Sequence, residues 1–404
     1  MEHRNVYFDN NATTQPTPAV VEAVHRALTE FWHNPSSVHR PGQAARQQVE
    51  LARQSIARLI GARPRDITFT SGGTEAIDTA IRGVLAARPR PAGGIVDEPP
   101  VILTTAIEHA AVRDLADELE RSGAAAVERA PVGPGGVVDA AAFSARLTDR
   151  TAIAVLQWAN NETGAIQPAV EVARICRERR VPMLCDATQW VGKLPVEPVA
   201  DERGQSMPPF DLMAFAPHKF HGPKGIGVLY ARPGVRFRPR LLGSQELGRR
   251  GGTENVPGIL GAGVAAAEAQ TWLTEQAGER GRLAALRDRF EAAVLSGVPD
   301  AVVNGPRDAA ARLWNTTNLG FPGLEAEAIL LLLSERGVCA SAGAASSSGS
   351  LEPSHVLLAM GIDPKVAHGS VRFSLSRLSS HEEVDRAAAA VVECIGRLRA
   401  LSPA

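Results

Sequence analysis

Ile67-Thr-Phe-Thr-Ser-Gly-Gly-Thr-Glu75 runs straight into the helical pattern Ala76 to Ala87, and its reading decides the fold. Four residues of β-favouring type, a Gly-Gly turn and an amphipathic run make a strand, a turn and a helix in that order. Free backbone N–H groups at such a helix start can face an anion, although a Gly-Gly turn alone is weak support for a phosphate site. The same unit recurs along the chain. Val101 to Thr104, Ala152 to Leu156, Pro182 to Cys185 and Asp211 to Phe215 are further strand candidates, with helical patterns such as Val170 to Arg180 between them. Strands alternating with helices predict an α/β fold with a mostly parallel, helix-covered sheet.

Ligands of open α/β sheets sit at the carboxyl ends of the strands. Here nearly every strand candidate runs into polar or glycine-rich residues at that end. His109 follows the second, Asn160-Asn-Glu-Thr-Gly164 the third, Asp186-Ala-Thr-Gln189 the fourth, and Pro217-His-Lys-Phe-His221 the fifth. Singly, each has a plain structural role: Asp186 as a helix cap, His109 as a satisfied loop histidine, the lysines as solvated charge. Together they converge on one rim. A phosphate cup, one lysine, one carboxylate and one histidine facing a ring are the parts that hold pyridoxal 5′-phosphate. Of the 43 lysines and arginines only Lys193, Lys219, Lys224 and Lys365 are lysine, and Lys219 is the one beside a histidine at a strand end.

At 404 residues the chain is long enough for two domains. Residues 16–260 read as the large α/β domain. Residues 1–15 and 261–404 read as a smaller α+β domain with long Ala/Leu/Arg helical patterns (Ala262 to Leu295, His381 to Leu401) and a strand-like piece at Asn315 to Leu319. Two Pro/Gly-rich stretches, Arg88 to Pro100 and Pro198 to Pro209, read as surface insertions. A net charge of −1 gives no reason to expect nucleic acid or a membrane surface as partner. No run of about 18 apolar residues is present to span a bilayer. Four cysteines (Cys176, Cys185, Cys339, Cys394) lack metal-ligand spacing, so the expectation is reduced thiols, a cytoplasmic setting and no metal.

Tyr7-Phe-Asp-Asn-Asn-Ala-Thr-Thr14, Asn34-Pro-Ser-Ser37, Ser71-Gly-Gly-Thr-Glu75, Asn160-Asn-Glu162, Asp186-Ala-Thr-Gln189, His218-Lys219, Arg250-Gly-Gly-Thr253, Ser350-Leu-Glu-Pro-Ser-His355 and Arg372-Phe-Ser-Leu375 together resemble the cysteine desulfurases. The likeness is to the branch with the longer catalytic loop, here about residues 340–353, and runs from Tyr7 to about Ser402. It implies a fold-type-I pyridoxal-phosphate-dependent transferase of class-V aminotransferase type. Such an enzyme removes sulfur from L-cysteine, leaves L-alanine, and holds the sulfur as a persulfide for an acceptor protein such as an iron–sulfur scaffold. The resemblance also implies a role for each matched position. Lys219 is the Schiff-base lysine and proton shuttle; Asp186 pairs with the pyridine nitrogen; His109 stacks on the ring. Gln189 and Asn161 bond the phenolic oxygen or polar groups near it. Gly73, Thr74 and His218 bind the phosphate, and Thr253 reaches the phosphate in the neighbouring subunit of a homodimer. Arg372 clamps the substrate carboxylate, while Asn11 and Ala12 lie over the site.

Two positions depart from the family pattern. Ala216 stands where a phosphate-binding serine is usual, at a cost of about 1–2 kcal/mol in cofactor binding. Ser346 stands where the family has its nucleophilic cysteine. A serine hydroxyl is hardly ionised at neutral pH, whereas a thiol is readily made a thiolate. The chain as written is therefore expected to bind cofactor and cysteine with little or no turnover. Cys339, seven residues upstream, is expected to be a structural thiol rather than a substitute. One reading of Ser346 is a Cys→Ser exchange that traps a substrate complex, favoured because the surrounding run differs from a working site at that position only. The other is a natural paralogue that performs elimination or transamination on a small amino acid, or serves as a non-catalytic sulfur-transfer partner.

Overall fold

In the computed structural model, residues 5–88, 98–200, 204–342 and 352–401 are described. The chain runs β1 (Val6–Tyr7), α1 (Pro18–Thr29), α2 (Arg40–Leu59), β2 (Ile67–Thr70), α3 (Gly73–Ala87), β3 (Val101–Thr105), α4 (Ala110–Arg121), β4 (Ala126–Ala130), α5 (Ala140–Ser144), β5 (Thr151–Gln157), α6 (Ala169–Glu178) and β6 (Met183–Asp186). It continues through β7 (Val199–Ala200), β8 (Ser206–Met207), β9 (Leu212–Phe215), β10 (Gly227–Ala231), α7 (Gln245–Gly248), α8 (Val256–Glu275), α9 (Glu279–Gly297), β11 (Val302–Val303) and β12 (Thr316–Gly320). The last elements are α10 (Ala326–Glu335), β13 (Val338–Cys339), α11 (His355–Ala359), α12 (Pro364–His368), β14 (Ser370–Ser374) and α13 (His381–Leu401).

Seven strands form one sheet in the order β2-β10-β9-β6-β5-β3-β4. Only β10 runs against its neighbours, pairing antiparallel with β2 and with β9; the other pairs are parallel. The central strands are buried along their whole length, as Thr151–Gln157 shows, because helices cover both faces. Each helix that follows a strand starts at the strand's carboxyl end and returns to its amino end. Helix N-termini therefore collect at one edge of the sheet and C-termini at the other. Gly227 opens β10 against the Gly-Gly turn: a Cβ there would lie 2.2 Å from the Gly72 carbonyl carbon, so only glycine lets the strand close onto the start of α3.

Beside this sheet, β11-β12-β14 make a three-stranded antiparallel sheet. β1 pairs with β13 in parallel, which ties the N-terminus to the C-terminal third of the chain. The expected Ala262 to Leu295 run is two helices, since α8 ends at Glu275 and α9 starts at Glu279 with Gly278 at its cap. The Pro198 to Pro209 stretch carries the short ribbon β7-β8, while part of Arg88 to Pro100 lies outside the described residues. Among the described residues no helix is long and apolar enough to cross a membrane.

Candidate active site

A cavity of about 330 Å³ opens at the carboxyl ends of the large sheet. Asn11, Ala12, Gly73, Thr74, His109, Asn161, Asp186, Gln189, His218, Lys219 and Arg372 all line it, so eleven residues singled out from the sequence meet in one place. Two do not. Thr253 is exposed and is not part of this chain's own cavity wall. Ser346 lies outside the described residues.

Each wall follows from a strand end. α3 begins at Gly73 with no side chain capping it, which leaves N–H groups of its first turn facing the cavity edge. β3 delivers Glu108 and His109. The His109 Nδ1 accepts the Ala111 N–H at 3.1 Å, so in the neutral ring the proton sits on Nε2. Burial holds its pKa below the ordinary histidine value, with Lys219 and Arg113 acting the same way and Asp186 opposing. Glu108 is buried behind it, accepting the Thr105 hydroxyl at 2.7 Å and the Gln157 N–H at 2.9 Å. Burial raises its pKa to about 8, and the bonds from Thr105 and Gln157 oppose that rise.

β6 ends in Asp186, 6% exposed, whose Oδ1 accepts the Thr188 N–H at 3.0 Å. Among the described residues no donor reaches its other oxygen. After β9 a short 3₁₀ turn, Pro217–Lys219, presents His218 and Lys219. The Lys219 Nζ donates to the Asn11 and Ala12 carbonyls at 2.7 and 2.8 Å. Burial, reinforced by the Arg372 charge and opposed by Asp186 and Asp9, lowers its pKa to about 8. His218 pairs with the Thr13 hydroxyl at 3.1 Å, and burial with neighbouring lysines lowers its pKa to about 4.

The N-terminal segment that accepts from Lys219 is laid across the site by bonds at both ends. The Asn10 side chain donates to the Ser374 carbonyl, and the Thr14 N–H donates to the His218 carbonyl at 2.9 Å. Arg372, on β14 and 1% exposed, donates to Asp9 Oδ1 at 2.7 Å and to the Asn161 carbonyl at 3.2 Å. A carboxylate entering the cavity would therefore meet an arginine already aligned by the 21% exposed Asp9 side chain. The described residues on either side of the Ser346 stretch are fastened to the same rim. Ser341 and Arg372 exchange backbone hydrogen bonds, and the Ser354 hydroxyl donates to the buried Glu162.

The groups present fit pyridoxal phosphate. The fit rests on a buried carboxylate with an oxygen left for a ring N–H, a buried amine whose neutral form is accessible, and an uncapped helix start for a phosphate. Cys339 is half-buried in β13, paired opposite Tyr7, and does not line the cavity; burial and Asp9 raise its pKa. Burial likewise raises Cys185, in β6, well above the thiol norm. Sequence reasoning missed Glu108, Gln157, Thr188 and Lys193. For Lys193 a signal existed, as one of only four lysines, four residues beyond Gln189.

The aminotransferase class-V family model matches residues 6–387. A cysteine desulfurase of Trichormus azollae is 45% identical over 399 residues, covering 98% of this chain and 94% of that protein. The cysteine desulfurase NifS of Azotobacter vinelandii is 44% identical over 401 residues, covering 99% and 94%. A solved NifS-like protein superposes with a TM-score of 0.85 at 33% identity, covering 97% of this chain and all of that one. With its fold-type-I sheet, its site at the strand ends and relatives of this extent, the chain belongs to the class-V aminotransferase family, and these relatives within it are cysteine desulfurases.

Proposed function

We propose that this chain is built as a pyridoxal-phosphate-dependent cysteine desulfurase, removing sulfur from L-cysteine to leave L-alanine and passing it to an acceptor protein. The observation that carries the reading is the convergence of Lys219, Asp186, His109 and Arg372 on one 330 Å³ cavity. Bound there, the cofactor supplies a protonated ring that accepts the electron pair left when an amino acid loses its Cα proton. Asp186 would hold the proton of the ring nitrogen. The Lys219 amine would hold the cofactor and then move the Cα proton, a task helped by a pKa near working pH. His109, neutral with Nε2–H free, would stack on the ring and donate a proton. Gly73, Thr74 and His218 would hold the phosphate, and Gln189 and Asn161 the ring oxygen. Arg372 would take the substrate carboxylate in place of Asp9, while Asn11 and Ala12 would roof the site.

The exposure of Thr253 outside its own cavity supports a homodimer in which Thr253 of one subunit completes the phosphate site of the other. Residues 16–260 would carry the cofactor groups, and residues 1–15 with 261–404 would carry Arg372 and the 340–353 stretch. A cytoplasmic setting with an iron–sulfur scaffold or similar acceptor belongs to the same proposal.

Ser346 decides whether this chain completes the reaction. A hydroxyl in the thiol's place gives neither a soft nucleophile nor a storable persulfide. The test is alanine and sulfide release from L-cysteine plus reductant, comparing the chain with its Ser346→Cys variant. Alanine from the cysteine variant alone is the expected result. Pyruvate in place of alanine, or turnover that requires a keto acid, would replace desulfuration by elimination or transamination.

A further inference from the structure

Lys193 is the one lysine besides Lys219 whose side chain is buried against the site, and the proposed desulfuration gives it no task. It is 4% exposed. The turn Trp190–Lys193 puts it there: Gly192 has φ +78, and a Cβ at Gly192 would lie 2.4 Å from the Phe220 Cβ. Only glycine lets this turn press against the residue that follows Lys219 and bring the Lys193 side chain inward.

Its amine donates to two side-chain oxygens, Gln189 Oε1 at 2.5 Å and Asn11 Oδ1 at 2.8 Å. No carboxylate pairs with it among the described residues. An amide has an oxygen at one end and an NH₂ at the other, so a donor on one side settles what the other side offers. With Oε1 on Lys193, the Gln189 NH₂ turns the opposite way, donating to the Asn11 carbonyl at 3.0 Å at the cavity wall. Asn11 repeats the pattern. Its Oδ1 faces Lys193 and the Asn315 NH₂, and its own NH₂ donates to the Asn161 carbonyl at 3.0 Å and the Thr316 hydroxyl at 2.9 Å. The Asn11 carbonyl that meets Gln189 also takes the Lys219 amine. One continuous chain of hydrogen bonds thus runs from Lys193 through Gln189 and Asn11 to Lys219. Donation into Oε1 also polarises the amide and makes its NH₂ a stronger donor.

We propose that Lys193 is a positioning residue: by holding the side-chain oxygens of Gln189 and Asn11, it makes Gln189 present a hydrogen-bond donor to the cavity. The inference rests on the reading that pyridoxal phosphate occupies that cavity, where Gln189 would meet the ring's phenolic oxygen. A donor on that oxygen stabilises its negative charge and lowers the basicity of the cofactor's conjugated nitrogen. Losing the donor raises the pH at which the bound cofactor's visible band titrates. The buried amine lies near Lys219 and Arg372, and burial, reinforced by both charges, pushes its pKa well below the lysine norm.

The experiment is a pH titration of the visible band in the reconstituted chain, in Lys193→Met, in Gln189→Leu and in the double variant. Lys193→Met is expected to raise the midpoint by about 0.5–1 pH unit, the scale of one hydrogen bond. Gln189→Leu is expected to raise it by at least as much, and the double variant no further than Gln189→Leu, because Lys193 acts through Gln189. An unchanged midpoint in Lys193→Met, or the same added shift in the Gln189→Leu background, overturns the inference. Should Lys193→Met fail to fold, Lys193→Gln carries the test. Its NH₂ can serve Gln189 Oε1, so its midpoint should stay within about 0.2 pH unit of the parent, and a shift as large as that of Gln189→Leu overturns the inference. If the parent chain develops no visible band at all with pyridoxal phosphate, the cofactor reading itself has failed, a result distinct from either.

Discussion

A depression lies at each of two opposite edges of the large sheet, and the larger of the two is not the site. At the amino ends of the strands lies a cleft of about 750 Å³, against about 330 Å³ at the carboxyl ends. Six arginines line it, at 88, 177, 179, 180, 232 and 236, along with Asp149 and Asp211. Its cations answer local needs. α3 ends at Ala87 and α6 at Glu178, so Arg88 and Arg179 stand at helix C-termini, where partial negative charge favours a cation. Arg177 donates to the Pro209 carbonyl at 2.7 Å, and Asp211 sits 3.8 Å from Arg177 and 3.6 Å from Arg232. Arg88, Arg179, Arg180 and Arg236 are exposed. At the other edge the helix N-termini gather; Asp186 and Arg372 are buried there, His109 and Lys219 have lowered pKa values, and the Lys219 amine is bonded into the N-terminal segment. A functional site is marked by groups held out of water in mutual contact, not by volume or by the number of charges.

The largest effect that would sharpen this contrast comes from Lys219→Ala. In the Ser346→Cys background, alanine release should fall at least about 10³-fold, since the group that holds the cofactor and moves the proton is gone. In the chain as written the cofactor's visible band should change with it. Turnover within tenfold of the parent would place the chemistry elsewhere and end the comparison.

A medium effect is one of pH. The lowered pKa of Lys219, about 8, means that roughly a tenth of the amine is neutral at pH 7 and most of it by pH 9. Uptake of pyridoxal phosphate by the apoprotein needs that lone pair, so its rate should rise about tenfold over this interval and then level off. An unshifted lysine would keep rising well past pH 9. The sign also fixes a stability trend: the unfolded chain binds this proton more tightly, so the Lys219 contribution rises with pH from about 8 toward 10.5. Glu108 has its pKa raised to about 8 and titrates in the same window, so the uptake profile should be repeated in Glu108→Gln.

The same contrast explains what could be read beforehand. A central strand such as Thr151–Gln157 was legible because a parallel strand buried on both faces reads as an apolar run that stops at polar residues, and the edge strand Ile67–Thr70 because a Gly-Gly turn and a helical pattern follow it directly. β4 was missed because an edge strand need be apolar on little of its length, and Glu128 and Arg129 interrupt it. β10 was hidden behind the lysine motif that precedes it, and as the one antiparallel strand it breaks the strand–helix alternation. The α8–α9 break escaped because Gln276-Ala-Gly278 carries no proline and the Ala/Leu/Arg texture continues across it. At the site, strand-end residues could be placed on one rim from topology alone. Lys193 and Glu108 could not, since their roles come from which buried atoms they meet, and that is settled only when distant segments pack.

The smallest effect tests the other half of the comparison. Arg179 caps the end of α6, its N–H donating to the Ile175 carbonyl, while its side chain lies exposed in the large cleft. Arg179→Glu replaces a favourable charge at a helix C-terminus by an unfavourable one and should cost no more than about 1 kcal/mol, read from the urea midpoint and shrinking as salt is added. Arg179→Ala should cost less than half of that. Neither should move the cofactor's visible band, because among the described residues no side-chain hydrogen bond joins Arg179 to Asp186 or its neighbours. A shifted band in either variant would mean that the amino-end cleft is coupled to the cofactor across the sheet, and its arginines would then need a role beyond capping helices.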